Sequence, residues 1–186
     1  MPNRFLYIDD APPDIRNATA GGLSRSGVVN VSAEEPMSWD VRINRILENS
    51  VNIDGVILDW RLTEESNRTG IGSEVGVVKY SAESLAQHLR FLATDGVLKD
   101  IPIVLCSANQ GFKEHENRDS TGRDLFDVVY HKNAFVDRHE IIVQELNSLA
   151  EGYKFLQKGN DISWQAIFSN PENVEIDVRL IDNLAT

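Results

Sequence analysis

The sequence predicts an α/β fold, a doubly wound parallel sheet of five strands flanked by helices. Two observations carry this reading: short apolar runs recur five times, and segments with helical spacing separate most of them. A third sharpens it. The inner runs are continuous rather than alternating, which is the mark of strands covered on both faces.

Phe5-Leu6-Tyr7-Ile8 is the first run, stopped by Asp9 and Asp10 and then by Pro12 and Pro13, which break a strand. Asp14 to Leu23 allows one short helix. Val28 to Val31 is β-branched, lies between Gly27 and the acids Glu34 and Glu35, and reads as a second strand. Ser38 can cap a helix ending near Ser50, with Val41, Ile43, Ile46 and Leu47 at helical spacing. Asp54 to Asp59 repeats the first pattern, an apolar run ending in a carboxylate. Trp60 to Tyr80 is a long polar loop containing Gly70, Gly72 and Gly76, a length typical of functional or mobile connections.

A helix follows over Ala82 to Thr94, with Leu85, Leu89 and Leu92 on one side. Ile101 to Cys106 is a fourth buried run ending at Ser107, with Pro102 near its start where a missing N–H is tolerated. Asn109 to Arg123 is polar and only weakly helical. Phe126 to Tyr130 is the fifth strand, ending at His131 and Lys132. Arg138 to Leu156 is an amphipathic helix presenting Ile141, Ile142, Leu146 and Leu149. Residues 1–157 thus form one domain. The remainder, 158–186, is an extension too small to fold alone, with Trp164 and Phe168 as packing anchors and a final helix expected over Asn173 to Leu184.

Composition narrows the function. In 186 residues, 29 Asp and Glu oppose 18 Lys and Arg, a net charge of -11 that repels phosphate backbones and anionic lipid surfaces. Nucleic acid and membrane are not the expected partners. A single cysteine, Cys106, forms no internal disulfide and reads as a core residue, and the histidines share no zinc spacing. Met1 to Asp10 has neither the length nor the apolarity of a signal peptide or a span. A cytoplasmic location is expected.

In an open parallel sheet the ligand site lies beyond the carboxyl ends of the strands, so the residues terminating them matter most: Asp9, Asp10, Asp59, Ser107 and Lys132. Three carboxylates from two strand tips repel one another unless a cation intervenes. Oxygen-only ligands favour magnesium or another hard divalent ion. A lysine and a hydroxyl at neighbouring tips suit a phosphoryl group, and together the parts suggest phosphoryl transfer to a carboxylate.

Over about its first 155 residues the chain resembles the receiver domain of two-component response regulators. The resemblance rests on an acidic pair ending the first strand (Asp9, Asp10), an aspartate ending the third within Ile57-Leu58-Asp59-Trp60-Arg61-Leu62, Ser107 ending the fourth and Lys132 ending the fifth. It implies a flavodoxin-like fold with strand order 2-1-3-4-5. It also implies Asp59 as phospho-acceptor and Ser107 and Lys132 as phosphate ligands. Magnesium would be held by Asp9, Asp10, Asp59 and the backbone carbonyl of Arg61. Phosphate would come from a histidine kinase, a phosphotransfer protein or a small phosphodonor, and a downstream protein partner would read the change. Such a chain is a signalling switch rather than a turnover enzyme.

Two departures fall on the switch. Asn133 follows Lys132 where the family usually has proline, and the candidate switch aromatic, Tyr130, stands two residues before the lysine rather than three. The opposing reading is therefore a pseudo-receiver that acts as a phosphorylation-independent interaction module. Homodimerisation is open, through the fourth-helix to fifth-strand face or the tail. The loop glycines lack the Lys-Ser or Lys-Thr of a P-loop, and adjacent Asp9 and Asp10 do not make the Asp-x-Asp of haloacid-dehalogenase-type phosphatases.

Overall fold

A computed structural model describes residues 1–60, 62, 80–108 and 125–158. In chain order the elements are β1 (Asn3–Ile8), α1 (Pro13–Ser24), β2 (Val29–Glu34), α2 (Trp39–Glu48), a 3₁₀ turn (Ser50–Asn52), β3 (Gly55–Asp59) and α3 (Ala82–Thr94). They continue with β4 (Ile103–Ser107), β5 (Val128–His131), α4 (Ala134–Asp137) and α5 (His139–Gln157). The strands form one sheet in the order β2-β1-β3-β4-β5, every pair parallel. Both the fold class and the order expected from the sequence are observed.

Burial follows position in the sheet. Every residue of β3 and of β4 is buried, because each strand has a neighbour on both sides and helices on both faces. The edge strands β2 and β5 alternate or are half-exposed. One face packs Leu6, Ile8, Val56, Leu58, Ile103 and Leu105 against α2 and α3. The other packs Phe5, Tyr7, Ile57, Val104 and Cys106 against α1 and α5. At the outer edge of β2, the Val31 N–H donates to the Ser24 hydroxyl of α1 at 2.8 Å. That edge position is already occupied.

The amino ends of the strands are stapled by acids. Asp54 accepts the Arg4 N–H of β1 at 2.9 Å and pairs with Lys154 at 3.3 Å and Lys99 at 3.6 Å. Asp127 accepts the Ile103 N–H of β4 at 2.7 Å and is paired with Arg90 at 2.7 Å.

Several sequence expectations need correction. Val41 was an expected core position of α2, yet it is 51% exposed while the adjacent Arg42 is fully buried. The reason is electrostatic: Arg42 bonds Glu34 at 2.6 Å and the Glu35 carbonyl, so the helix turns its guanidinium inward. Ile141 is likewise 51% exposed; α5 buries Ile142 and Leu146 as expected, together with Val143 and Ala150. β2 runs on to Glu34, and β5 starts two residues later than Phe126, because pairing to β1 and β4 sets their extents. The helix α4 was not anticipated. The expected polar loop over most of 60–80 with its three glycines, the weak helix over 109–123, and the extension with Trp164, Phe168 and the helix over 173–184 lie outside the described residues.

Gly55 opens β3 directly opposite Phe5 in the register, where a side-chain carbon would collide with the Phe5 ring. At Gly152, on the exposed side of α5, such a carbon would meet nothing within 4 Å. Gly55→Ala is expected to lose roughly 1–3 kcal/mol of stability in urea denaturation by overpacking. Gly152→Ala is expected to gain about 0.5–1 kcal/mol from helix propensity.

Candidate phospho-acceptor and metal site

β1 and β3 are neighbours, so their carboxyl ends deliver Asp9, Asp10 and Asp59 to one place, with a ligand oxygen of each within 4.8 Å of the others. Asp9 and Asp59 are buried and Asp10 is half-buried. Lys132, just past β5, reaches across the end of β4. Its Nζ lies 2.8 Å from Asp9 Oδ2 and 3.0 Å from Asp59 Oδ1, and its backbone N–H donates to the Ser107 carbonyl at 2.8 Å. Ser107 is buried at the end of β4, in register with His131. The structure therefore brings together the strand-tip residues singled out in the sequence. Arg61 lies outside the described residues.

The two buried carboxylates differ in environment. Burial pushes Asp9 upward, but bonds from Lys132, the Tyr7 hydroxyl and the Ala11 N–H outweigh it and hold the carboxyl below its usual range. Burial also dominates at Asp59, where it overcomes Lys132 and, with help from the charges of Asp9 and Asp10, raises the carboxyl to about 6. Although both acids share one ammonium, Asp9 has further donors and stays ionised. Burial alone would lower Lys132, yet its bond to Asp9 and the charge of Asp59 keep it an ammonium. The donor chemistry fits a hard divalent cation: among the described residues the cluster offers three carboxylates and no nitrogen or sulfur ligand.

Trp60 follows the candidate acceptor. Its N–H donates to the Cys106 carbonyl at 3.0 Å, and its indole Nε1 donates to Glu83 in the first turn of α3 at 2.8 Å. Tyr130 packs on the side of α1 and α5, its ring 5.9 Å from Phe135 and its hydroxyl donating to Glu145 of α5 at 2.5 Å. His131 is half-buried, with no hydrogen-bond partner for Nε2 among the described residues. Sequence reasoning took Tyr7 only as part of a strand. Its position two residues before Asp9, on the same side of β1, was the signal that its hydroxyl reaches that carboxylate.

No protein-family model and no curated protein matches this sequence. Solved structures do match in fold. A response regulator receiver domain protein from Clostridium thermocellum aligns with a TM-score of 0.52 at 14% identity, over 84% of this chain and 97% of that one. A LuxR-family DNA-binding response regulator from Staphylococcus aureus aligns with a TM-score of 0.51 at 15% identity, over 80% and 98%. A chain described as adenylate cyclase from Rhodopirellula baltica aligns with a TM-score of 0.52 at 13% identity, over 86% and 100%. The fold is that of response-regulator receiver domains. Among the described residues no helix is long and apolar enough to cross a membrane.

The raised Asp59 carboxyl gives a pH signature. Its folded value, about 6, lies above the 3.8 of an unperturbed aspartate, so between these values the native state binds the extra proton. The stability of the metal-free protein should fall as pH rises through that window and then level off above it. Asp59→Asn removes the titration, so the variant should be the more stable of the two at neutral pH and lose that advantage towards pH 4. Thermal melts of both proteins across this range in a chelating buffer would check it.

Proposed function

We propose that the chain is a signalling receiver that accepts a phosphoryl group on Asp59, with a magnesium ion held by Asp9, Asp10, Asp59 and the backbone carbonyl of Arg61. One observation supports this above the others: three carboxylates from adjacent strand tips converge within 4.8 Å, and Lys132 is bonded to two of them. Structural acids rarely gather this way without a charge to hold.

The chemistry follows from these positions. The ionised Asp59 is the nucleophile. A carboxylate oxygen bonds to phosphorus while the bond from phosphorus to the donor nitrogen or oxygen breaks, and the donor departs with that electron pair. A magnesium ion held by Asp9, Asp10, Asp59 and the Arg61 carbonyl would supply charge neutralisation for the transfer. Lys132 redirects hydrogen bonding from Asp59 Oδ1 to a phosphoryl oxygen, and the Ser107 hydroxyl donates to another. With its carboxyl at about 6, Asp59 is already mostly ionised at neutral pH, and a bound cation would lower it further. The donor is a histidine kinase, a phosphotransfer protein or a small acyl or amido phosphate, and a protein partner reads the result.

The alternative, a pseudo-receiver that acts without phosphorylation, is favoured by Tyr130. The aromatic of the fifth strand is tied to Glu145 of α5 and packs beside Phe135, an arrangement suited to a fixed rather than a switching role. The two readings separate at one bond. Incubation with magnesium and a small phosphodonor is expected to form a hydroxylamine-labile acyl phosphate on Asp59, absent from Asp59→Asn. A protein that binds magnesium yet never forms it is the pseudo-receiver. Lys132→Ala is expected to slow phosphorylation by roughly 10- to 1000-fold while leaving magnesium binding measurable, as read by Trp60 fluorescence.

A further inference from the structure

Beneath the acidic cluster lies a phenol with no part in the chemistry described above. Tyr7 is 1% exposed and projects from β1 into the layer facing α1 and α5, beside the buried Cys106. Its hydroxyl donates to Asp9 Oδ2. The same oxygen accepts from Lys132 Nζ at 2.8 Å, and the other, Oδ1, accepts the Ala11 N–H at 2.8 Å. An ionised carboxylate offers about four acceptor positions. Three are taken by the protein, two of them on Oδ2, so the capacity left for any other partner lies on Oδ1.

We propose that Tyr7 is a positioning residue that withholds Asp9 Oδ2 from cation coordination and so sets the magnesium affinity of the site. The inference rests on reading Asp9, Asp10 and Asp59 as a metal site, and deepens it. The Tyr7 hydroxyl has a rigid ring behind it, buried against packed side chains, so it cannot swing away as a serine or lysine would. Asp9 is thereby divided: Oδ2 belongs to the protein, and Oδ1 alone can turn to a cation or its water. Loosely held magnesium suits a site whose Lys132 must be able to leave Asp9 and Asp59 for another partner.

The test is isothermal calorimetry of magnesium binding to wild type and Tyr7→Phe at about pH 8, above the range of all three carboxyls. Removing the hydroxyl returns an acceptor position to Oδ2 and unmasks charge, so the variant should bind magnesium roughly three- to tenfold more tightly. A lower melting temperature alone is expected of any lost buried hydrogen bond and decides nothing; the dissociation constant is the readout. An unchanged or weaker affinity in a folded variant overturns the role of Tyr7 while leaving the metal site intact. Absence of magnesium binding in wild type overturns both.

A second measurement needs no variant at position 7 to fold. In wild type labelled with carbon-13 at tyrosine Cζ, the resonance that survives in each of Tyr80→Phe, Tyr130→Phe and Tyr153→Phe is that of Tyr7. It should shift saturably with magnesium as its acceptor is polarised, while the Tyr153 signal, bonded to Asp127 at the opposite end of the sheet, stays fixed. A Tyr7 signal indifferent to magnesium overturns the proposal.

Discussion

Everything at the functional edge of this molecule depends on one ammonium group shared by two buried carboxylates. A parallel sheet with helices on both faces leaves its polar residues no exit except the strand tips, and the β2-β1-β3 order places the tips of β1 and β3 side by side. Asp9 and Asp59 are forced together there, with Asp10 close by, and Lys132 comes from the far side of β4 to hold them.

The amino end of the sheet shows what a purely structural solution looks like. Asp54 and Asp127 also sit between strands, but each accepts a backbone N–H and pairs with basic side chains, Lys99 and Lys154 for one and Arg90 for the other, Arg90 being shared with Asp100 and Lys154 with Glu151. At the carboxyl end, by contrast, three carboxylates each place an oxygen within 4.8 Å of the others, an arrangement that suits a hard cation. Within the cluster the labour is divided. Asp9, with three donors, is an anchor; Asp59, raised to about 6 chiefly by burial, is the carboxylate whose state can change.

Much of this was legible in the sequence, for a physical reason. Continuous apolar runs such as Gly55–Asp59 and Ile103–Ser107 have few alternatives to a buried strand, and the residue that ends each run is necessarily at the sheet edge. The candidate site was therefore readable as a set of chain positions. The extents of β2 and β5 were not, because partners distant in sequence decide where edge strands begin and end. The burial of Arg42 in place of Val41 was not legible because a helical wheel treats arginine as solvent-facing, whereas a carboxylate eight residues earlier, Glu34, makes its burial tolerable. Tyr7 went unassigned because an aromatic in a core strand is ordinary; only its hydroxyl, and what that hydroxyl touches, distinguishes it.

The Ser24 hydroxyl at the margin of β2 has a consequence for colloidal behaviour. Edge strands of open sheets are templates on which foreign chains can crystallise into fibrils, and a chain this acidic would otherwise rely on repulsion alone, which salt weakens. With the Val31 N–H already donating to Ser24, an incoming strand must break a bond before it can make one at that position. The protection is geometric, so it persists at ionic strengths that silence the net charge.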